Sequence, residues 1–254
     1  MLEIKNLSAG YPGAPVLQDI SLTLPEGAVT VIVGPNGCGK STLLKALTGI
    51  LPASGSVTLD GRELLSLSGR ERARKVAFLP QNRQVPEITV KNLVLHGRFP
   101  YLSYPRRYRQ EDLRIAEAAM EKMGVKELAE RSLTTLSGGQ RQKVYIAMAL
   151  AQDTPVVLLD EPNAFLDIAH QLQLMEQAKA LAGEGKTVVL VLHDLSLALE
   201  YADCLAVLSE GKCLFRGAPE ETFLSGCLAR AFGVEVRRFA TPEGWKYSYG
   251  KHIL

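Results

Sequence analysis

A glycine-rich segment spanning residues 34–42 has the residue types that bind phosphate. The β-branched run Val29–Val33 precedes it, and the helical pattern Leu43–Leu47 follows it. Glycines let backbone N–H groups surround phosphate oxygens without Cβ clashes, and the next helix directs its positive N-terminal end at the anion. Lys40 adds a mobile positive charge, and the Ser41 hydroxyl suits Mg²⁺. The pattern predicts a phosphate site formed by Gly34, Pro35, Asn36, Gly37, Cys38, Gly39, Lys40, Ser41 and Thr42.

Two adjacent carboxylates follow a second apolar run. Val156–Leu159 is short and bounded by prolines, which is typical of a buried parallel strand, and Asp160 and Glu161 come at its end. An acid at the strand tip suits the Mg²⁺ site, usually through water, and the next acid is placed to polarise an attacking water. With the phosphate segment, this pair predicts a nucleoside triphosphatase that uses Mg²⁺.

A third segment, Leu136–Gln140, precedes a helical pattern. Ser137 is a typical N-cap residue, so this helix should begin with exposed backbone N–H groups. The apolar residues that follow have the helical spacing i, i+3, i+4, i+7, and they are Val144, Ala147, Met148 and Ala151.

The phrase Leu-Ser-Gly-Gly-Gln, placed before an Asp-Glu strand, resembles the signature of ATP-binding cassette ATPases, and the resemblance covers essentially the whole chain. It implies that Tyr11 stacks on adenine and that Gln81 links the Mg²⁺ site to a helical subdomain. His193 resembles the switch histidine that faces the γ-phosphate, and Asp167 resembles a residue of the loop that crosses to a partner subunit. Asn163 stands where many members carry Thr or Ser, which leaves the carboxylates untouched.

The resemblance also implies how these residues act together. Two copies bind head to tail with two ATP molecules between them, and hydrolysis loosens the dimer. Lys40 and Mg²⁺, bound through Ser41, Gln81 and Asp160, offset developing charge, while Glu161 acts on water. The partner copy completes each site with Ser137, Gly138, Gly139, Gln140 and Asp167.

The order of elements indicates an α/β protein. Strand signals come first, helical patterns dominate from about residue 84 to 152, and strands and helices then alternate as in a parallel sheet with crossover helices. We expect a P-loop NTPase (RecA-like) core from residues 1–83 and 153–254, with an N-terminal antiparallel β subdomain. We expect an inserted α-helical signature subdomain at 84–152. Residues 234–254 form a partly aromatic tail with no assigned role.

Composition limits the partners. The net charge is only +2, which gives no reason to expect nucleic acid, and no apolar run approaches the roughly 20 residues of a spanning helix. The four cysteines form no Cys-x-x-Cys pair and the histidines are scattered, so neither a disulfide framework nor a zinc site is expected. Any membrane link is therefore expected to come through a partner, and the resemblance implies a peripheral protein on the cytoplasmic face of the cell membrane, attached through transmembrane permease subunits.

The segment Gly97–Tyr101 resembles the Gly-Arg-aromatic-Pro segment of importers for ferric siderophores, haem and cobalamin. It implies a motor subunit that docks on a permease through the surface from Gln81 to Tyr104, with Arg98 and Tyr101 as contact residues. A substrate-binding protein would act only indirectly. The alternative is a soluble ATPase of the same family, acting in cofactor or cluster assembly. The long coiled coils of chromosome ATPases are absent from the sequence.

Cys38 lies inside the phosphate segment, close to Lys40 and to the start of a helix. Both features favour a thiolate, so the sequence predicts a lowered pKa and selective reaction of Cys38 with a maleimide.

Overall fold

The computed structural model describes residues 1–242 and 244–251, and its elements follow the hydrophobic patterns of the sequence. The strands are β1 (Leu2–Tyr11), β2 (Ala14–Leu24), β3 (Val29–Val33), β4 (Ala53–Leu59), β5 (Arg62–Glu63), β6 (Val76–Leu79), β7 (Val156–Asp160), β8 (Thr187–Val191), β9 (Cys204–Ser209), β10 (Lys212–Gly217), β11 (Val234–Thr241) and β12 (Gly244–Lys251). The helices are α1 (Lys40–Leu47), α2 (Gly69–Ala73), α3 (Val90–His96), α4 (Gln110–Lys122), α5 (Gly138–Ala151), α6 (Ile168–Gly183), α7 (Leu195–Tyr201), α8 (Pro219–Leu224) and α9 (Cys227–Phe232).

The chain divides into two compact units, one formed by residues 1–66 with 175–254 and the other by residues 67–174. The first unit contains an antiparallel sheet in the order β2-β1-β4-β5. Its strands alternate between buried and exposed residues because only one face of the sheet meets the core. The predicted N-terminal antiparallel subdomain is therefore present.

The same unit holds the strands β10-β9-β3-β8, in which β3 runs parallel to both β9 and β8. Every residue of β3 and β8 is buried, as expected for parallel strands covered on both faces. Because the carboxyl ends of parallel strands meet at one edge, the residues following β3 and β8 emerge at the same edge of these strands.

A feature that the sequence interpretation missed lies at the C-terminus. Within the partly aromatic tail, β11 and β12 form an antiparallel hairpin with Val234 opposite Lys251 and Thr241 opposite Gly244. Residues 252–254 of the predicted tail lie outside the described part of the chain.

The second unit contains β6 and β7 as a parallel pair, together with helices α3, α4 and α5 that pack on one another. These three helices occupy much of the segment predicted to be a helical insertion. The glycine between α3 and the following turn is required by packing, because a Cβ on Gly97 would lie 2.3 Å from the Met148 carbonyl oxygen in α5. Thus α3 ends where its backbone touches the backbone of α5.

Candidate functional site

The phosphate loop connects β3 to α1 and needs glycine at two positions for steric reasons. A Cβ on Gly34 would lie 2.2 Å from the carbonyl oxygen of Leu208, and Gly39 adopts φ +106°, a conformation that other residues rarely reach. The Leu43 N–H donates to the Gly39 carbonyl oxygen at 2.8 Å, so the helical bonding begins directly at the loop. The loop can therefore present backbone N–H groups to an anion.

Lys40 is buried at the start of α1, and its ammonium lies within the loop. The Nζ atom donates to the carbonyl oxygens of Gly34 at 2.7 Å and Pro35 at 3.0 Å. A buried ammonium requires such acceptors, and phosphate oxygens would be stronger ones because they are charged. The side chain is thus held at the position where a phosphate bound by the loop would need a positive charge.

Cys38 corrects one sequence prediction. Its side chain is buried, with 5% of the residue exposed, and burial raises the pKa of the thiol, while the nearby Lys40 charge lowers it by less. Desolvation disfavours a thiolate wherever the charged form loses water. The predicted lowering of the pKa of Cys38 is therefore wrong, because the nearby Lys40 charge does not outweigh burial.

Tyr11 ends β1 and is 46% exposed. The Lys45 ammonium of α1 lies 5.9 Å from the centroid of its ring and donates to its hydroxyl at 3.3 Å. The ring is thereby linked to the helix that follows the phosphate loop. An exposed aromatic face in this position suits stacking on a nucleobase, and the predicted adenine contact stays a prediction.

The carboxylates lie in the second unit at the end of β7. Asp160 is the last, fully buried residue of the strand, and Glu161 follows with φ +50°. The Gln81 side chain, just after β6, donates from Nε2 to Glu161 Oε2 at 2.5 Å. The structure therefore brings together two residues that the sequence interpretation placed in one site, and it links Gln81 directly to the acid assigned to water activation.

A set of supporting residues was not found from the sequence. Gln142 in α5 is buried, and its Nε2 donates to the carbonyl oxygen of Pro162, the residue after Glu161, at 2.6 Å. Its Oε1 accepts from Arg83 Nη2 at 2.6 Å, and the Arg83 guanidinium lies 4.4 Å from the Tyr145 ring centroid. Burial lowers the pKa of Arg83. These contacts fix the backbone next to Glu161.

The only sequence signal for this set is the helical phase of α5. Gln142 lies three residues before Tyr145, and both side chains are buried on that helix. A buried polar side chain requires a hydrogen-bond partner, but periodicity does not reveal which backbone group accepts or donates.

The signature segment begins α5 with a complete capping box. Ser137 Oγ accepts from Gln140 N at 3.2 Å, and Gln140 Oε1 accepts from Ser137 N at 3.0 Å, which confirms the predicted N-cap. Gly138 and Gly139 lie beside Phe165, because a Cβ on Gly138 would be 3.5 Å from Phe165 Cβ and one on Gly139 would be 3.4 Å from Phe165 O. The role of this helix start in a second copy stays a prediction.

Asp167 lies immediately before α6 and is exposed. Its Oδ1 accepts from His170 N at 2.9 Å and lies 2.8 Å from His170 Nδ1. The backbone hydrogen bond from His170, together with the side-chain contact, lowers the pKa of Asp167. The residue is therefore a charged helix cap whose predicted contact with a partner copy remains a prediction.

His193 follows β8 and is exposed. The next residue, Asp194, caps α7 through Oδ1, which accepts from Ser196 N at 2.8 Å and Leu197 N at 3.2 Å. The histidine thus lies between a buried strand and a capped helix, which limits the conformations of its backbone.

Arg98 corrects a second expectation. Only 5% of the residue is exposed, and its Nε donates to Asp112 Oδ1 at 2.9 Å inside the helical segment. Its Nη1 donates to the Ala151 carbonyl oxygen at 3.0 Å, and its guanidinium lies 4.0 Å from the Tyr101 ring centroid. The expectation that Arg98 faces a docking partner is wrong, because these contacts bury it. Phe99, which is 45% exposed, is the side chain of this segment that faces outward.

No helix within residues 1–242 and 244–251 combines the length and apolar character needed to cross a bilayer. Nor does this part of the chain contain a cluster of three or more His, Cys, Asp or Glu side chains arranged to hold a metal ion. A metal bound by phosphate oxygens and only one or two protein ligands, as Mg²⁺ commonly is, does not need such a cluster.

Two solved structures resemble this fold closely. An inward-facing metal-chelate type ABC transporter matches with a TM-score of 0.84 and 27% identity, covering 99% of this chain and 97% of that chain. A dimeric bacterial ABC transporter cassette matches with a TM-score of 0.75 and 28% identity, covering 86% of this chain and 99% of that chain. The predicted P-loop NTPase fold class is thereby confirmed.

Sequence relatives agree over nearly the full length. The ferric enterobactin transport ATP-binding protein of Escherichia coli (strain K12) is 44% identical, covering 94% of this chain and 89% of the relative. The probable siderophore transport system ATP-binding protein of Bacillus subtilis (strain 168) is 40% identical, covering 100% and 95%. The profile of the family described as ABC transporter matches residues 17–164. The prediction of an ATP-hydrolysing transporter subunit is confirmed, and the chain belongs to the ABC transporter family.

Proposed function

We propose that this chain drives a membrane importer for a ferric siderophore or a chemically related metal chelate. The observation that carries the proposal is the full-length similarity to two transport ATP-binding proteins whose names specify enterobactin and siderophore cargo. Cargo selection would belong to the permease and the substrate-binding protein. The chain contributes ATP binding and hydrolysis on the cytoplasmic face of the membrane.

ATP fits the loop described above. The glycine-rich backbone, in which Gly37 and Gly39 adopt positive φ, and the buried Lys40 ammonium suit the triphosphate, while Tyr11 would stack on the base. For Mg²⁺, the Ser41 hydroxyl, the Gln81 amide oxygen and the Asp160 carboxylate supply the hard oxygen donors that this ion prefers. Bound Mg²⁺ would offset the charge that develops on the phosphates during hydrolysis.

The chain's own residues would then divide the work. Lys40 neutralises phosphate charge, Glu161 accepts a proton from the attacking water, and His193 orients the γ-phosphate. Gln81 holds the Glu161 carboxylate at 2.5 Å, and the Gln142 bond to Pro162 holds the backbone behind it. These contacts support a preorganised Glu161 carboxylate, and its orientation depends on the segment that follows β6.

The second copy is part of the proposal. The exposed helix start at Ser137 and the exposed Asp167 would complete the ATP site of the partner copy in a head-to-tail dimer. The similarity to a dimeric cassette supports this arrangement. The permease would dock on the helical segment, with Phe99 in place of Arg98 as the outward-facing contact residue.

The test is uptake by cells that lack the gene. Cells complemented with the wild-type chain should accumulate a radioactive ferric siderophore. Cells carrying Lys40→Ala should not, since the loop loses the positive charge that would bind the phosphates of ATP. Uptake of haem and uptake of cobalamin are measured in the same cells in parallel. Uptake of all three at equal rates with and without the gene would contradict the import proposal.

A further inference from the structure

The C-terminal hairpin, which the sequence left without a role, is fastened to helix α7. Tyr247 in β12 is buried, and its ring centroid lies 5.7 Å from that of Phe223 in α8. The carbonyl oxygen of Tyr247 accepts a hydrogen bond from Ser196 Oγ at 2.9 Å. Ser196 is in the first turn of α7, so the hairpin is attached close to the beginning of that helix.

Charged side chains attach the hairpin at further points. Lys246 Nζ lies 2.6 Å from Glu200 Oε2, and Glu200 is in the last turn of α7. The Arg238 guanidinium in β11 lies 5.1 Å from the Phe223 ring centroid and 4.3 Å from the Trp245 ring centroid. Both ends of α7 are therefore held by β12, and the hairpin itself is anchored beside α8.

Helix α7 begins at Leu195, two residues after His193. Asp194 caps the helix by accepting from the Ser196 backbone N–H, while the Ser196 hydroxyl donates to the hairpin. Ser196 thus joins the helix cap to the C-terminal hairpin. On the other side of His193, β8 ends at Val191, and all five residues of this strand are buried.

We propose that the C-terminal hairpin is a brace that positions His193 for ATP hydrolysis, with Ser196 as the positioning residue that transmits its effect. The inference rests on the proposed role of His193 at the γ-phosphate. None of the bracing contacts involves the phosphate loop. Loss of the brace should therefore slow turnover while leaving the affinity for ATP nearly unchanged.

The first experiment compares Ser196→Ala, Ser196→Thr and the control Arg237→Ala in the full-length chain. Arg237 is exposed on β11 and pairs with Glu235 within the same strand, so its loss leaves the α7 attachment intact. We expect Ser196→Ala to lower kcat for Mg-ATP about three- to tenfold, the effect of losing one hydrogen bond, with KM within about twofold. Ser196→Thr keeps the hydroxyl and should restore most of the rate. A normal kcat in Ser196→Ala would overturn the brace.

The second experiment asks whether the effect passes through His193. In a double-mutant cycle, Ser196→Ala should cost little further activity once His193 is replaced by Ala, because the positioned group is gone. In NMR spectra of the full chain, the His193 ring Cε1–H resonance should shift or broaden in Ser196→Ala, return in Ser196→Thr and stay unchanged in Arg237→Ala. The inference would be overturned by an unchanged resonance, or by an equal fractional loss of ATPase activity on Ser196→Ala with and without His193. The hairpin would then only stabilise the fold.

The outcomes separate this inference from the function on which it rests. If His193→Ala hydrolyses ATP at the wild-type rate, the proposed role of His193 is wrong and the brace has nothing to position. If His193→Ala is slow while Ser196→Ala is normal in rate and spectrum, the role of His193 stands and only the brace is overturned.

Discussion

At the scale of single residues, burial decides what the charged and reactive groups of the phosphate loop do. Lys40 and Cys38 lie two positions apart and both are buried, but only the ammonium has strong acceptors, the carbonyl oxygens of Gly34 and Pro35. The thiol is left with the cost of desolvation, which raises its pKa. Sequence reasoning identified the neighbours of Cys38 correctly and misjudged their balance, because the extent of burial is a property of the folded chain.

This balance predicts slow labelling of the native protein. Because its pKa is raised, Cys38 should stay protonated at neutral pH, and its alkylation rate should rise only as pH climbs above the ordinary range of a thiol. Burial likewise raises the pKa of Cys204 and Cys213. Mass spectrometry after a brief maleimide pulse at pH 7 should find little label at any of the three in native protein and full label in denaturant. Rapid native labelling of Cys38 would restore the thiolate interpretation.

The catalytic assignment is tested at Glu161. Glu161→Gln keeps an oxygen that accepts from Gln81 Nε2, so the local geometry should survive, but the amide cannot take a proton from water. We expect hydrolysis to fall about 10²- to 10⁴-fold with ATP binding retained, as measured by turnover and equilibrium binding of Mg-ATP. Glu176→Gln, at an exposed glutamate of α6, is the control. Parental turnover in Glu161→Gln would remove this residue from the role of base.

At the scale of elements, the sequence predicts best where one periodicity runs without interruption. The β-branched run Val29–Val33 coincides with β3 residue for residue. The C-terminal hairpin was missed because apolar and polar side chains alternate only over residues 234–237 of β11. That signal is short, and a hairpin forms only where its inner face has a surface to cover. Here that surface is α7, which lies more than thirty residues earlier in the chain.

The buried Arg98–Asp112 pair should be a main stabilising contact of the helical segment. Both side chains are 7% exposed, so Arg98→Met would leave the Asp112 carboxylate buried without its charge partner. Removing one member of a buried pair costs about 3–5 kcal/mol in the free energy of unfolding. Denaturant melts should show this loss, whereas Arg107→Met, at an exposed arginine, should change it by less than about 0.5 kcal/mol. Equal melts of the two variants would mean that Arg98 contributes no more than a surface side chain.

At the scale of the whole molecule, the residues assigned to ATP belong to two different compact units. The phosphate loop and His193 lie in the unit of residues 1–66 and 175–254, while Gln81, the carboxylates and the signature segment lie in residues 67–174. The sequence interpretation placed Gln81 and the carboxylates in the core of residues 1–83 and 153–254, with only the signature segment in the helical insertion, and those domain bounds stay a prediction. Motif order does not say which copy of the chain each signature serves, and that is the remaining assignment to test.

Mixing two inactive variants tests it. Lys40→Ala should weaken ATP binding to the isolated chain, because the loop loses its ammonium. Ser137→Arg should bind ATP almost normally yet hydrolyse none, since its bulk and charge would block the site of the partner copy. In an equimolar mixture, a heterodimer contains one site with an intact loop from one chain and an intact signature from the other. ATPase activity should therefore reappear in part.

The matched control is Ser103→Arg, the same substitution at an exposed serine outside the signature, which should keep full activity alone. Binding is measured by equilibrium titration with Mg-ATP, and turnover is measured by phosphate release across a range of mixing ratios. The recovered rate should peak near equal amounts of the Lys40→Ala and Ser137→Arg chains. If Ser137→Arg weakens binding to the isolated chain as strongly as Lys40→Ala does, its signature serves the ATP bound by its own loop. A mixture that stays inactive at every ratio would likewise contradict the head-to-tail dimer. The intact loop of one variant would then not form a site with the intact signature of the other.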